Sequence, residues 1–425
     1  MTAATWYRWL ATFVYTVRVK EVCYKGLRSH PHAGPSTCFM DTKPKVLIMI
    51  AAEQISGPGK GVLQLVEHAA ASRFEYVVCN FDLEGHSAGE FVHEARRKKL
   101  NLRLLKQRTA LDPNLVVQAR RLIRKQEVDI IQTHGYKSNT VGFFLAMLCR
   151  RPWIGFAHGF INDSRRNRLY NRIERWALRR ADRVVAVSAS MKELLVRHGI
   201  AAQKIRVIHN AIAPNESVPG ASGEEIRQRH GIASHERVVG VFGRLNPEKG
   251  QQVFLKALET TLRSVHGVKA LIVGDGQDRE LLEELCRARG LSNHVLFLGY
   301  RKNIADYYQA IDLLVQPSFS EGSPNTVLEA MSFGVAVLAT AVGGVPEIIQ
   351  GGNGMMVPPN DPDALAKKMI ELLSDAALRR AIGAKGRSSL YPRFSADTRV
   401  REIVSLYDEL LSGRVTNQGS GKVAW

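Results

Sequence analysis

The stretch Val46-Leu-Ile-Met-Ile-Ala51 runs into Ser56-Gly-Pro-Gly-Lys-Gly61 and then into the amphipathic segment Gly61–Ala71. An apolar β-branched run, a glycine-rich turn and a helical pattern in this order are typical of a parallel β-α-β unit. The alternation continues as far as residue 210, which predicts a doubly wound domain with right-handed crossovers. The further strands and helices predicted in this half are Tyr76–Asn80, Pro113–Lys125, Ile130–Thr133, Asn139–Leu148, Trp153–Ala157, Val184–Ser188 and Arg206–His209.

The same alternation restarts after Pro214–Ser222, a segment rich in Pro, Gly, Ser and Ala that is typical of a linker. The strands predicted beyond it are Val238–Phe242, Ala270–Val273, His294–Leu298, Leu313–Gln316 and Ala336–Ala339. The sequence therefore predicts the α/β class, with two Rossmann-like doubly wound domains facing a cleft, and ligands in such folds bind at the carboxyl ends of the strands. The predicted boundaries are 1–44 (N-terminal extension), 45–212 (first domain), 213–235 (linker), 236–398 (second domain), 399–411 (C-terminal helix) and 412–425 (mobile tail).

The composition is that of an ordinary soluble protein of two or three domains. The chain has 425 residues, of which 45% are apolar and 23% charged, and this balance excludes a mostly disordered chain, a coiled coil and a collagen-like fibre. The five cysteines lie far apart and form no CxxC pair, which disfavours a disulfide scaffold or a structural zinc site and indicates a reducing compartment. No run of about 20 apolar residues occurs, so the sequence predicts no membrane-spanning helix.

The excess of positive over negative charge lies entirely in the first half of the chain. The formal net charge is +19, with 35 basic and 16 acidic residues in 1–210 and 24 of each in 211–425. Either an anionic partner binds the first half (lipid headgroups, a phosphorylated acceptor or nucleic acid), or the excess serves solubility. No aromatic-interleaved basic motif of a known nucleic-acid fold occurs, so we expect no nucleic-acid partner.

A basic amphipathic helix is predicted within Ser164–Asp182. Leu169, Ile173, Trp176 and Ala177 form one stripe, and the rest of the segment is rich in arginine. Such helices lie on anionic membranes or beside phosphates, and the alternative is a packed stripe with solvated arginines. The arginines are Arg165, Arg166, Arg168, Arg172, Arg175, Arg179 and Arg180.

The first 39 residues differ from the rest of the chain. Leu10–Val17 is a short apolar run without a small-residue cleavage site, so a secretory signal is disfavoured. Two interpretations stay open. The aromatic residues around this run form an amphipathic surface anchor, or translation naturally starts at Met40, just before the first strand.

The second half carries the strongest chemical motif, Glu321-Gly-Ser-Pro-Asn-Thr-Val-Leu-Glu329, directly after a predicted strand. Pro324 suits a first helical position, so a helix is expected to begin near Ser323 with free N–H groups that can bind an anion. The alternative is a capped surface helix with two solvated acids. Other glycine-bearing turns follow strands at Gly243–Gly250, Gly274–Gly276 and Gly343–Glu347, where backbone can approach a ligand closely.

These motifs resemble those of the retaining glycosyltransferases of family 4, which have the GT-B fold. The resemblance covers residues 45–410 and rests on Glu321-x7-Glu329 and the lysine-glycine loop from Arg244 to Gly250. The first domain adds Ser56–Gly61, similar to the family's glycine-rich loop, and Ala157-His-Gly159, similar to its histidine turn. His209-Asn-Ala-Ile resembles the family's Asn-Gly-Val segment, with Ala211 in place of the usual glycine.

The resemblance implies a role for each matching residue. Arg244 and Lys249 would neutralise the diphosphate that leaves with the nucleotide, Glu329 would bind the ribose and Glu321 the donor sugar. His158 would lie beside the transferred sugar, or would be a hydrogen-bonded histidine at a strand end. The catalytic set implied is Glu321, His158, Arg244 and Lys249. The donor-binding set implied is Gly59, Gly61, Gly243, Arg244, Lys249, Gly274, Arg301, Glu321, Gly322, Ser323, Asn325, Thr326 and Glu329.

The first domain would bind the acceptor and the second the nucleotide. The acceptor-side candidates are His134, Arg165, Arg168 and Arg172. Asp361-Pro-Asp363 looks like a metal-binding DxD, but it precedes the helical pattern Ala364–Leu373 and is better explained as a helix cap. We therefore expect a metal-independent reaction without a cofactor.

The predicted function is transfer of a sugar from a nucleotide diphosphate sugar to an acceptor hydroxyl with retention, in polysaccharide, lipopolysaccharide or glycolipid synthesis. The acceptor would be lipid-linked or a polysaccharide, and the enzyme cytoplasmic, peripheral on the inner face of the membrane. Two alternatives stay open: another GT-B enzyme, such as a nucleotide-sugar epimerase or a phosphorylase, and a non-catalytic protein that binds an anionic ligand.

Overall fold

A computed structural model describes residues 43–83, 89–109, 112–160, 165–213 and 220–419 of the chain. The predictions for residues 1–39, and for the end of the tail from residue 420, lie outside these ranges. The described residues form two domains, each a parallel β-sheet with helices packed on both faces. No helix among them is long and apolar enough to cross a membrane.

The first domain is built on a seven-stranded sheet of order β3-β2-β1-β4-β5-β6-β7. Its strands are β1 Lys45–Ile50, β2 Glu75–Leu83, β3 Leu102–Gln107, β4 Ile130–His134, β5 Trp153–Ala157, β6 Arg183–Ala186 and β7 Ile205–Val207. Its helices are α1 Gly57–His68, α2 Glu90–Arg97, α3 Asn114–Gln126, α4 Gly135–Cys149, α5 Arg165–Leu178 and α6 Ala189–Arg197. The sequence pattern missed β3, because this edge strand alternates charged with apolar residues and is only partly buried.

The second domain is built on a six-stranded sheet of order β10-β9-β8-β11-β12-β13. Its strands are β8 Arg237–Phe242, β9 Val268–Val273, β10 Val295–Gly299, β11 Leu313–Gln316, β12 Ala336–Thr340 and β13 Met355–Val357. Its helices are α7 Gly223–Arg229, α8 Gln251–Leu262, α9 Arg279–Ala288, α10 Ile304–Ala310, α11 Asn325–Ser332, α12 Val345–Ile348, α13 Pro362–Ser374 and α14 Ala376–Ser389. Each sheet reverses its strand order beside its first strand, so the predicted class of two Rossmann-like doubly wound domains is confirmed.

Part of the predicted linker 213–235 belongs to the second domain. Helix α7 begins after Ser222, whose side chain accepts a hydrogen bond from the Glu225 N–H in a capping box. Ile226 is buried, and Arg227 Nη2 lies 2.8 Å from Asp312 Oδ2 beside β11. The polar and charged residues of 223–235 show no clear apolar periodicity, so the sequence did not predict this helix. The helix is stabilised mainly by these tertiary contacts.

The C-terminal helix is longer than predicted, and it packs against the first domain. Helix α15 spans Ala396–Gly419, so it begins before residue 399 and continues into the predicted mobile tail. Its residues Ile403 and Tyr407 are fully buried in a cluster with Val46 and Ile48 of β1. The chain therefore returns from the second domain and closes the core of the first, a pairing that local periodicity cannot show.

Helix α5 buries a face that overlaps the predicted stripe only at Ala177. Glu174 and Asn171 are buried together with Ala177 and Leu178, whereas Trp176 is 41% exposed. The polar residues are buried because α4 offers partners: Asn139 Nδ2 donates to Glu174 Oε1 at 2.7 Å. Asn139 in turn accepts from Thr133 Oγ1 at 2.6 Å, so this network fixes α5 on the sheet.

Burial raises the pKa of Glu174 to about 8. Between about pH 4.5 and pH 8 the folded protein retains a proton on this carboxyl group that the unfolded chain releases, so stability declines as pH rises through that window. We expect the unfolding temperature to fall between pH 6 and pH 9, and Glu174→Gln to reduce that fall. Thermal unfolding followed by circular dichroism measures both, with the exposed Glu193→Gln as control. An equal decline in all three proteins would contradict the assignment.

Candidate functional site

The two sheets direct their carboxyl ends toward one cleft of about 1410 Å³. The first domain lines it with the turn after β1, from Gln54 to Gly57, and with Lys60 of α1. The second domain lines it with the turns after β8, β9 and β10, which include Arg244, Gly274 and Arg301. A volume of this size accommodates a ligand as large as a dinucleotide.

Glu321 lies in the loop after β11, and its carboxylate accepts hydrogen bonds from three side chains. Its Oε1 atom accepts from Lys249 Nζ and Gln316 Nε2, each at 2.7 Å, and from Ser318 Oγ at 2.6 Å. The side chain of Glu321 is only 7% exposed, so this cage fixes its position.

Lys249 reaches Glu321 because the turn after β8 closes tightly. Pro247–Lys249 is a single 3₁₀ turn, and the next residue, Gly250, has a φ of 67°. A Cβ atom at Gly250 would lie 2.1 Å from the carbonyl oxygen of Pro317. Only glycine allows this turn to pack against the end of β11, which brings the sequence-predicted Lys249 and Glu321 together.

Arg244 and Arg301 lie at the open side of the cleft. The side chain of Arg244 is 57% exposed, with Nη2 3.3 Å from Glu248 Oε1. Arg301 is exposed and follows Tyr300, whose hydroxyl donates to Glu90 Oε2 of the first domain. Both arginines are therefore available to an anionic ligand that enters the cleft.

Glu329 connects the two domains. It lies on α11, where Oε2 accepts from the Tyr308 hydroxyl at 2.9 Å and Oε1 pairs with Lys60 Nζ at 2.8 Å. Burial, and then the nearby Glu329 carboxylate, hold the pKa of Tyr308 well above its ordinary value, so the hydroxyl remains a donor. Sequence reasoning missed Lys60, although its place within Ser56–Gly61 was the available signal.

Gly59 and Gly61 face away from the cleft. A Cβ atom at Gly59 would lie 3.3 Å from the ring of Phe91, and one at Gly61 would lie 2.8 Å from the guanidinium of Arg399 on α15. These glycines allow α1 to pack closely against α2 and α15. The cleft wall nearby is formed instead by Ser56, Gly57 and Lys60.

Among the buried polar atoms that lack a hydrogen-bond partner within the described ranges, three lie close to the contact between the domains: His158 Nδ1, Ser323 Oγ and Asn325 Oδ1. These atoms lie where the domains meet. The backbone of Gly322 in the second domain approaches that of His158 in the first so closely that a Cβ atom at Gly322 would be 2.1 Å from the His158 carbonyl oxygen. Buried polar atoms are normally satisfied in native proteins. A ligand with hydroxyl or phosphate oxygens would supply the missing partners.

His134 does not reach the cleft as predicted for an acceptor contact. It ends β4 and is 3% exposed, with its ring 4.3 Å from that of Phe156 and 5.2 Å from that of His158. Its Nδ1 lies 2.9 Å from His158 Nε2, so His134 orients the His158 ring through a hydrogen bond. Of the other acceptor-side candidates, Arg168 and Arg172 are exposed on α5, and the side chain of Arg165 lies outside the described residues.

The glycines after the strands of the second domain pack backbone against backbone. A Cβ atom at Gly274 would lie 1.8 Å from the Gly243 carbonyl oxygen, and one at Gly343 would lie 1.7 Å from that of Glu321. Thr326 Oγ1 donates to Gln316 Oε1 at 2.9 Å, which ties the first turn of α11 to the end of β11. These contacts hold the loops of the cleft in fixed positions.

Asp361 caps a helix, as the sequence predicts. Its Oδ1 atom accepts from the Ala364 N–H at 2.9 Å at the start of α13, and Asp363 lies in the first turn of the same helix. The Asp361-Pro-Asp363 segment therefore forms the N-terminal cap and first turn of a helix.

Two family models match the chain, one on each domain. Residues 55–216 match Glycosyltransferase Family 4, and residues 222–389 match Glycosyl transferases group 1. An uncharacterized glycosyltransferase of Methanocaldococcus jannaschii, MJ1607, is 31% identical over 66% of this chain and 75% of its own. The lipopolysaccharide core biosynthesis mannosyltransferase LpsB of Rhizobium meliloti is 28% identical over 56% of this chain and 68% of its own.

Among solved structures, Anabaena Alr3699/HepE in complex with UDP-glucose superposes with a TM-score of 0.76 at 24% identity, over 86% of this chain and 99% of that one. This likeness agrees with the two-domain fold described above. The two glycosyltransferase models together cover both domains, and the relative in Methanocaldococcus jannaschii exceeds 30% identity over 75% of its own length. The chain belongs to the group 1 glycosyltransferases, with a family 4 first domain.

Proposed function

We propose that this glycosyltransferase takes its sugar from a nucleoside diphosphate sugar bound in the cleft and transfers it to an acceptor hydroxyl with retention. The observation that carries the proposal is the Glu321 cage, in which a fixed carboxylate lies against Lys249 beside three buried polar atoms without partners. A sugar has the hydroxyl groups, and a diphosphate the anionic oxygens, that such a site would satisfy.

The proposed transfer reaction depends on the positions of the cations and carboxylates around the bound donor. As the bond between the sugar and the diphosphate breaks, negative charge develops on the diphosphate, and Lys249 and Arg244 are the cations placed to stabilise it. Glu321 would orient the sugar through its hydroxyl groups, and Glu329 with Tyr308 would receive the ribose. The acceptor hydroxyl would attack from the side that the diphosphate leaves and would give its proton to the leaving diphosphate. This attack retains the anomeric configuration without a covalent enzyme intermediate.

Enclosure by both domains limits hydrolysis of the donor. Lys60 pairs with Glu329 across the cleft, and the Tyr300 hydroxyl donates to Glu90, so residues of each domain contact the other around the cavity. A closed cleft excludes water and strengthens each electrostatic contact inside it. The presence of Glu321, Glu329, Arg244 and Lys249 together favours transfer over an epimerase or a phosphorylase, the alternatives on the same fold.

A thermal-shift screen against UDP-, GDP- and ADP-sugars identifies the donor, because a ligand that binds only the folded state raises the unfolding temperature. Lys249→Ala and Arg244→Ala are each expected to lower release of the nucleoside diphosphate by about a hundredfold or more. Lys256→Ala, an exposed lysine on α8, is the matched control and should change little.

Three outcomes would overturn the proposal. Unchanged turnover in folded Lys249→Ala and Arg244→Ala proteins would contradict the diphosphate assignment. Recovery of an isomerised nucleotide sugar, or a requirement for inorganic phosphate, would indicate one of the alternative enzymes. A product with inverted anomeric configuration, read by proton NMR, would contradict retention.

We propose further that the reaction needs neither a metal nor a cofactor, since Lys249 and Arg244 supply the positive charge that a divalent cation would otherwise bring. EDTA is then expected to leave the initial rate unchanged, measured with the donor found in the screen. A loss of activity that Mn²⁺ or Mg²⁺ restores would refute the metal-independent mechanism.

The acceptor proposed is lipid-linked or part of an envelope polysaccharide, and the enzyme acts at the cytoplasmic face of the membrane. The exposed side of α5 carries Arg168 and Arg172 around Trp176, which is 41% exposed and lies 4.6 Å from the ring of Phe143. Met147, one turn further along α4, is 65% exposed. Apolar side chains among arginines suit a surface that rests on anionic lipid headgroups.

Binding to anionic liposomes is therefore expected to fall steeply as salt rises, because charge attraction is screened beyond about 10 Å at 0.1 M. Changing Arg168, Arg172 and Arg180 to Gln should weaken binding further, whereas changing the exposed Arg287, Arg380 and Arg387 of the second domain should not. Cosedimentation measures both effects. If neither salt nor the substitutions at Arg168, Arg172 and Arg180 alter sedimentation, the basic surface serves solubility.

A further inference from the structure

A chain of four side chains connects the C-terminal helix to His158. The Tyr407 hydroxyl on α15 donates to Gln132 Oε1 on β4. Gln132 Nε2 lies 2.8 Å from His134 Nε2, and His134 Nδ1 lies 2.9 Å from His158 Nε2. Tyr407 and Gln132 are fully buried and His134 is 3% exposed, so water does not compete for these contacts. We call these four residues the relay.

The direction of the relay follows from donor chemistry. The hydroxyl of Tyr407 donates its one hydrogen to the amide oxygen of Gln132, which leaves the NH₂ group of Gln132 facing His134. His134 Nε2 must then accept, so the proton of that ring is on Nδ1 and is donated to His158 Nε2. His158 Nε2 is therefore the acceptor, and the proton of its ring is on Nδ1.

The reversed direction is disfavoured by burial. If the amide of Gln132 were turned over, its NH₂ group would face the Tyr407 hydroxyl, whose own hydrogen would lose its acceptor. A fully buried hydroxyl without an acceptor is destabilising, because water cannot replace the lost hydrogen bond. This cost is enough to hold the relay in one direction.

Neither histidine carries a second proton. Burial, and then the nearby Arg399 guanidinium, lower the pKa of His158 to about 3. Burial, and then His158 and Arg399, lower the pKa of His134 well below its ordinary value. Because both rings are neutral near pH 7, each has one N–H and one lone pair, and the relay decides which nitrogen holds the proton.

We infer that the relay fixes His158 in the Nδ1–H form, so that it presents a hydrogen-bond donor, and not an acceptor, to an oxygen of the bound donor sugar. The inference rests on the proposed function for the identity of that ligand. Its structural basis is that His158 Nδ1 is the free end of the relay: it is buried and, within the described part of the chain, has no partner. Tyr407, Gln132 and His134 are then positioning residues, which act on the sugar through His158.

The relay is tested by measuring where the proton is on His158. Long-range ¹H–¹⁵N correlation spectra distinguish the two ring nitrogens, and the His158→Gln spectrum assigns the signal. We expect Nδ1 to be protonated in the unaltered protein. In Gln132→Glu the carboxylate would accept from both Tyr407 and His134 Nε2–H, so the relay should reverse and the proton of His158 should move to Nε2.

Tyr407→Phe keeps the ring but removes the hydroxyl that orients Gln132, so His158 is expected to show a mixture of both forms. Tyr76→Phe is the matched control, because the Tyr76 ring lies 6.4 Å from that of Tyr407 while its hydroxyl contacts Ser72. It should leave the His158 spectrum unchanged. An Nε2–H form in the unaltered protein, or no change in folded Gln132→Glu and Tyr407→Phe, would overturn the inference.

Binding measurements separate the relay from the proposed function. UDP-glucose is expected to bind Gln132→Glu about tenfold more weakly than the unaltered protein, the size of one lost hydrogen bond, whereas UDP should bind both equally. An equal loss for UDP would indicate general damage to the cleft and contradict a sugar-directed role. If the unaltered protein binds no nucleotide sugar, the proposed function fails, and the spectra still decide the relay because they need no ligand.

Discussion

The contact between Gly322 and the carbonyl oxygen of His158 is the constraint on which the cleft depends. It joins the loop after β11 in the second domain to the end of β5 in the first, and any side chain at Gly322 would collide with that oxygen. Asn210 Nδ2 adds a hydrogen bond to the Ser323 carbonyl oxygen at 2.8 Å. As a consequence Glu321, His158 and the first turn of α11 lie together, although they are far apart in the sequence.

Two carboxylates at the cleft are each paired with a lysine, one from the same domain and one from the other domain. Lys249 pairs with Glu321 within one domain, and Lys60 pairs with Glu329 between domains. A donor that binds here must share these carboxylates with the lysines, and its diphosphate offers the lysines a second anionic partner. Partly buried pairs of this kind fix geometry more than they add stability, because desolvation offsets much of their attraction.

The C-terminal helix links stability to the site. Helix α15 fills the core of the first domain with Ile403 and Tyr407, and its Arg399 donates through Nη1 to the Gly61 carbonyl oxygen at 2.8 Å. The same helix begins the relay to His158. Residues near the end of the chain therefore control both the packing of α1 and the protonation pattern of a histidine beside the cleft.

The sequence by itself determined the repeated strand-turn-helix order, and with it the fold class, because the side-chain periods of strands and helices are local properties. It also indicated Arg244, Lys249, Glu321 and Glu329, since glycine-bearing turns at the carboxyl ends of parallel strands meet at one edge. Only the tertiary structure decided that Lys60 pairs with Glu329, that His134 is buried behind His158 and that α5 buries Glu174. Each of these depends on which distant segments pack together, and a buried polar side chain is stable only where a partner from another element satisfies it.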